Sequence, residues 1–246
     1  MLRRTMTRLI VLATGESEWD LQGRLASETD VALSERGVAQ AERAAASLRR
    51  ISFDIVLSAP ASRARLTAAS VLAARIAPRV EVDPRLRELG FGPFEGFAPR
   101  HPDALELHAA YRAWREESPF APAGCEPFTS AARRARSLVA AVSRTPGTVL
   151  LVTHEVFACI LLTAAVLGLP AHAYGRVRLD PGALAEVRLD PALPPQLVGV
   201  NLGAPVAPVA PLAQTPRDEA GHRAAARMGA DGDEHGTRWG GRAAAH

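Results

Sequence analysis

Lysine is absent from this 246-residue chain, and all 29 of its basic side chains are arginine. With the heavy use of Ala, Gly and Pro, that bias reads as the mark of a GC-rich coding sequence rather than of a function. Arginine titrates far above neutrality, so a pI of about 9.5 accompanies a formal charge of only +3. That excess is too small to point to nucleic acid, and the arginines are scattered; Arg133, Arg134 and Arg136 fall in a helical pattern and read as a solvated face. Cysteine is almost as scarce. Cys125 and Cys159 alone exclude a disulfide framework and a cysteine-rich zinc site. Cys159, on an apolar helical stretch, reads as a small buried hydrophobe, and Cys125 as a loop residue with no nucleophilic context. No apolar run approaches the about 18 residues of a membrane span. The run Leu9 to Ala13, behind a basic start from Met1 to Arg8, is also too short for a signal-peptide core, so a cytoplasmic protein is expected.

Three short apolar runs read as buried strands: Leu9-Ile10-Val11-Leu12-Ala13, Ile55-Val56-Leu57 and Val149-Leu150-Leu151-Val152. Val80-Glu81-Val82 alternates like a further strand. Between them the pattern predicts helices from Ser34 to about Arg50, from Ala61 to Ile76 (stopped by Pro78), over Asp103–Glu117 and over Phe128–Arg144. Another helix is expected from Val156 to Leu167, ended by Gly168 and Pro170. Pro84 to Pro102 reads mostly as loop. Arg176–Leu179 and Leu184–Leu189, flanking Pro181-Gly182, read as a hairpin, and Leu197–Leu202 as a last strand. Strands alternating with helices predict a three-layer α/β fold, a mostly parallel sheet flanked by helices. Residues 1–203 read as one domain. Residues 204–246 are rich in Pro, Ala, Gly and charge with few large apolar residues, and are expected to be disordered. His222, His235 and His246 lie there without metal-ligand spacing, while His101 and His108 read as surface residues.

Ligands of open α/β sheets sit where strands end and helices begin. Three strand ends here carry polar clusters: Ala13-Thr14-Gly15-Glu16-Ser17-Glu18-Trp19-Asp20, the stretch from Ser58 to Ala68, and Thr153-His154-Glu155. An arginine in the first turn of one helix and a histidine just past a neighbouring strand suit convergence on one anion.

These blocks resemble the histidine phosphatases (phosphoglycerate-mutase-like proteins). Gly15-Glu16-Ser17-Glu18-Trp19, Gly23-Arg24, Asp30, Leu33-Ser34-Glu35-Arg36-Gly37 and Gln40-Ala41 follow that family's opening, L-x-x-R-H-G-E-S/T-x-W-N and its continuation. Ser58 to Ala68 resembles its S-x-x-x-R-A-x-x-T-A helix start, Leu86 to Gly96 its L-x-E-x-x-F-G-x-W/F-E-G segment, and Val152-Thr153-His154 its V-S/T-H. The resemblance implies Arg63 as a phosphate-binding arginine, His154 as the second histidine, Glu88 as proton donor, and Ser17 and Arg24 on the substrate-facing loop. It implies no cofactor and no metal.

The departures weigh as much as the matches. Ala13 stands where the family has arginine and Thr14 where it has the nucleophilic histidine. Asp20 replaces an asparagine, Ala26-Ser27 a Gln-Gly pair, and Glu155 a glycine. An arginine lost from a phosphate site removes charged hydrogen bonds worth about 1.5–3 kcal/mol each. Threonine attacks poorly without an adjacent base. Added carboxylates repel a phosphate dianion. Phosphohistidine-dependent phosphatase or mutase activity is therefore expected to be absent. Glu88 and His154 remain an acid/base pair, with Thr14, Ser17, Arg24, Arg63 and Glu155 as candidate binding residues for a small anionic metabolite. Three functions stay open: an enzyme of changed acid/base chemistry, a non-catalytic pseudophosphatase that binds or regulates, and a slow phosphatase using direct water attack. Neither a nucleic-acid nor a membrane partner is expected, and the sequence does not specify an oligomeric state.

Overall fold

The computed structural model describes residues 6–73, 78–98, 105–117 and 121–203, with side chains in the helix after residue 104 described for 109–115. The chain divides into two units, residues 1–205 and 206–246. The second unit, with the expected tail disorder and its histidines, lies outside the described residues, as do His101 and the side chain of His108.

The first unit is a six-stranded sheet of order β3-β2-β4-β1-β5-β6, formed by β1 (Thr7–Ala13), β2 (Ile55–Ser58), β3 (Val80–Val82), β4 (Gly147–Thr153), β5 (Leu184–Leu189) and β6 (Gln196–Leu202). The first four in that order run parallel, and β5 and β6 are antiparallel additions at one edge. Leu9 to Ala13 and Val149 to Val152 are buried at the centre, which is why both strands are continuously apolar. Helices α2 (Glu35–Leu48) and α3 (Ser62–Leu72) pack together, as do α5 (Phe128–Val142) and α6 (Glu155–Ile160). The expected α/β architecture, with a mostly parallel sheet, is the one found.

Four local readings need correction. A short α1 (Glu18–Leu21) was not foreseen. It exists because Ser17 and Asp20 form a reciprocal capping box, each satisfying the other's main-chain amide. The helix expected to run unbroken to Leu167 leaves α geometry at Leu161 and widens into a π-helical turn, Leu161–Val166. The helix expected over Ala61–Ile76 is assigned over Ser62–Leu72, with residues 74–77 outside the described set. The fourth concerns the expected hairpin. Arg176 closes a 3₁₀ turn (Ala171–Arg176), and β5 pairs with β1 and β6 instead. Residues 178–180 are held instead by the Asn201 side chain, which accepts from the Asp180 amide at 2.9 Å and donates to the Arg178 carbonyl at 3.2 Å.

Pro84 to Ala98 is loop with two 3₁₀ turns, Pro84–Leu86 and Gly92–Phe94. It leads towards α4 (Leu105–Glu117), whose Tyr111 and Trp114 pack against Phe94. Among the described residues no helix is long and apolar enough to cross a membrane.

Candidate active site

The three polar clusters meet at the C-terminal ends of β1, β2 and β4. As β1 ends, the Thr14 amide donates to the Thr153 carbonyl at 2.8 Å and its own carbonyl accepts from Gly182 at 3.0 Å. Gly15 follows with its amide 3.3 Å from Thr67 Oγ1, and that hydroxyl donates to the Arg63 carbonyl at 2.8 Å. Thr67 thus ties the loop after β1 to the first turn of α3, the turn that carries Arg63. Gln40 of α2 accepts from the Glu16 amide at 2.8 Å. The Glu16 carboxylate is held by Ser34 and Arg36.

Thr14, Ser17, Arg24, Arg63, Glu88, His154 and Glu155, all singled out in the sequence, line one cavity of about 100 Å³, together with Asp20, Phe91 and Pro181. Glu88 and His154 also border an adjoining cavity of about 360 Å³, walled by Ser27, Glu28, Asp30 and Arg87. The two chambers therefore share the pair that the sequence marks as acid and base.

Their hydrogen bonds divide these residues into two groups. Ser17 is engaged in its cap. Arg24 donates from Nε to the Gly96 carbonyl at 2.9 Å and stacks over Trp19 at 4.0 Å. Arg63, 3% exposed, donates to the Thr29 and Ala26 carbonyls at 3.1 and 3.2 Å, so much of its fork holds the loop before Asp30. Glu88 Oε1 accepts from the Leu89 and Phe157 amides at 2.7 and 2.8 Å, and Oε2 from Val156 at 3.1 Å. The carboxylate is thereby seated on the N-terminus of α6, where the helix dipole favours negative charge. By contrast, among the described residues neither Thr14 Oγ1 nor the His154 ring has a hydrogen-bond partner, although both residues are buried.

Burial sets the proton affinities. It pushes the Glu88 carboxyl up to about 7, against the pull of its three amides and of Arg63. It holds the His154 imidazole well below its ordinary value, with the positive charges of Arg63 and Arg134 acting in the same direction, so the ring is neutral near pH 7. Crowding by protein atoms, then the charges of Asp20 and Glu88, pushes Glu155 up to about 7 as well. Glu155 is itself exposed to solvent, so water screens that push.

Sequence reasoning missed Arg134. Expected on a solvated face, it is 9% exposed and donates to the carbonyls of Arg85, Arg87 and Glu88 at 2.8, 2.6 and 3.0 Å. It also pairs with both oxygens of Glu126 and lies 3.8 Å from the centre of the Phe157 ring. A signal was present: Arg134 lies three residues after Ala131 and four before Leu138, on the buried stripe of α5, whereas Arg133 and Arg136 lie off it. Glu95 was overlooked too; it accepts from the Ser27 and Thr29 amides and shapes the wall of the wider chamber. Cys159 is buried as expected, and Cys125 Sγ is buried beside the Phe91 carbonyl. Among the described residues no group of three or more His, Cys, Asp or Glu side chains is arranged to hold a metal ion.

A mostly parallel sheet with an arginine, a glutamate and a histidine gathered at the ends of its central strands defines a phosphoglycerate-mutase-like protein. The chain matches the histidine phosphatase superfamily (branch 1) over residues 9–202 and belongs to that family. It is 30% identical over 187 residues to the adenosylcobalamin/alpha-ribazole phosphatase of Escherichia coli, covering 74% of this chain and 90% of that one. It is 32% identical over 209 residues to the glucosyl-3-phosphoglycerate phosphatase of Mycolicibacterium vanbaalenii, covering 74% and 91%. Among solved structures, the alpha-ribazole phosphatase from Shigella flexneri superposes with a TM-score of 0.70 at 29% identity, covering 80% of this chain and 97% of that one.

Proposed function

We propose that this protein is a histidine-phosphatase-fold enzyme in which acid/base chemistry by Glu88 and His154 replaces the phosphohistidine step. The reading rests on one juxtaposition. A buried carboxyl that titrates near 7 and an imidazole kept neutral line the same cavity, while Thr14 occupies the strand end where the family's nucleophilic histidine is expected. Near neutral pH Glu88 has a proton to give and the neutral His154 ring a free lone pair to receive one. His154 accepts a proton from the substrate, Glu88 delivers one to the oxygen that gains charge, and exchange with water resets the pair. Thr14 has no base hydrogen-bonded to it among the described residues, so it binds rather than attacks.

The substrate class is a small anionic metabolite, its acidic group directed to Arg63, which lines the cavity. The relatives are, by their names, phosphatases of adenosylcobalamin/alpha-ribazole and of glucosyl-3-phosphoglycerate. A cleft of two chambers suits an anionic head and a larger organic remainder. A second reading, a binding or regulatory module without turnover, is favoured by the Glu88 carboxylate already occupying the first amides of α6, which weakens that helix end as a phosphate receptor.

The test is an NMR screen of phosphorylated and carboxylated metabolites with wild type, Glu88→Gln and His154→Ala, run beside aryl phosphate hydrolysis. One metabolite class should turn over in wild type and in neither variant, with aryl phosphate left intact. Acid-labile phosphoryl on wild type, or turnover that survives both substitutions, overturns the reading. Saturable binding without turnover selects the module instead.

A further inference from the structure

The positions at which this cleft would hold an anion are largely filled from within the protein. Glu88 takes the Val156 and Phe157 amides at the start of α6. Asp30 takes the amide and hydroxyl of Ser62, each at 2.8 Å, at the start of α3. The cations are engaged as well. Arg63 and Arg24 donate to main-chain carbonyls, and Arg87, in the wider chamber, pairs with Glu126 at 3.1 Å.

Glu155, exposed to solvent at the rim of the smaller chamber, stands outside this pattern. It lines the smaller chamber with Asp20 and Glu88, and among the described residues its carboxylate takes part in no hydrogen bond or ion pair. Arg178, the cation whose field reaches it, is itself paired with Asp180 at 2.7 Å. A second, independent feature of the chamber points to a ligand. His154 is only 3% exposed, lines the chamber, and its ring has no protein partner among the described residues. Asp20 and Glu155, both exposed, set negative charge at the mouth of the chamber, beside the His154 ring within it. A primary ammonium offers three donors to convergent oxygens and brings its own charge into the chamber.

We infer that Glu155 is the ammonium-binding residue of this cleft, and that its ligand is a small zwitterion carrying a primary ammonium beside an acidic group. The inference deepens the proposed function and rests on that reading for the acidic half, which Arg63 receives. The ammonium lies between Glu155 and the Asp20 side of the chamber. His154, neutral, faces the carbon or heteroatom between the two charged ends, where a proton would be removed.

Titration calorimetry at neutral pH with two probes, O-phosphoethanolamine and ethyl phosphate, tests this on wild type and Glu155→Gln. The probes share a phosphate and differ in the ammonium. Wild type should bind the ammonium probe at least about tenfold more tightly, the range expected of a charge-assisted contact. Glu155→Gln should bring the ratio close to unity and leave ethyl phosphate bound equally well or better, since a repelling carboxylate is gone. Matching thermal midpoints for the two unliganded proteins separate this from misfolding, and Glu155→Ser serves as a second variant. Equal affinities in wild type, a preference that survives both substitutions, or no binding of either probe overturns the ammonium subsite. Each of those results leaves the turnover test with Glu88 and His154 variants standing. A clear ammonium preference without any turnover retains the subsite and discards the enzyme.

Discussion

The Arg134 guanidinium donates to the main-chain carbonyl of Glu88 at 3.0 Å from within the core. The same fork fixes the carbonyls of Arg85 and Arg87, pairs with Glu126 and covers Phe157, whose amide Glu88 accepts. One side chain thus positions both the segment that delivers the candidate acid and the helix end on which that acid is seated. Only a planar, multiply donating fork satisfies so many acceptors at once, and lysine does not.

Arg134→Ala is accordingly expected to destabilise the protein by about 3–5 kcal/mol, because it leaves the Glu126 carboxylate and three carbonyls without their buried partner. Denaturant unfolding measures this. A loss under about 1 kcal/mol would place Arg134 among ordinary surface ion pairs.

Glu88 links stability to pH with a definite sign. Its carboxyl is raised from 4.5 when unfolded to about 7 when folded, so the folded state holds the proton more tightly. The stabilisation is complete below pH 4.5 and fades as pH rises through about 7. Glu155 pulls in the same direction. Relative to Glu88→Gln, wild type should therefore lose thermal stability between pH 5 and 8. Parallel melting-point profiles for the two proteins across that about three-unit span would contradict the raised value.

Thr14→His tests the proposed reading of the end of β1. An imidazole there would join Arg63 and His154 in one cavity, and incubation with aryl phosphate followed by acid quench should trap labile phosphoryl on the variant and none on wild type. On the proposed reading turnover should stay slow, since Ala13 stands where the family resemblance implies an arginine. Equal labelling of the two proteins would show that Thr14 is no barrier to phosphoryl transfer.

Gly15 and Gly37 permit the loop after β1 to lie directly on the start of α2. A β-carbon at Gly37 would overlap the Glu16 carbonyl, and one at Gly15 the Gly37 carbonyl. Gly37→Ala should cost about 1–3 kcal/mol or more as the two backbones part, and should weaken ligand binding at Thr14 by moving its loop. Thermal unfolding and the calorimetry described above read both effects, and an unchanged melting point would refute the close approach.

The sequence located the cleft because parallel strands end on one side of a sheet, so short motifs following Leu12, Leu57 and Val152 had to converge however the intervening chain was routed. It did not reveal that Arg24 and Arg63 are occupied by protein carbonyls, or that residues 178–180 are held by Asn201 rather than by a strand. Those facts depend on partners far along the chain: 37 residues separate Arg63 from Ala26, and 21 separate Asp180 from Asn201.

Apolar periodicity and motif order determined the sheet, its flanking helices and the gathering of Thr14, Arg63, Glu88 and His154 at strand ends, because these follow from local pattern and from the direction of parallel strands. Tertiary structure alone decided their chemistry. The proton affinity of Glu88 depends on how completely Phe157, Arg134 and the strand ends exclude water from it, and the availability of each arginine depends on which carbonyls the folded chain brings within reach. Dehydration and hydrogen-bond competition act through space, so they exist only once the chain has closed around the site.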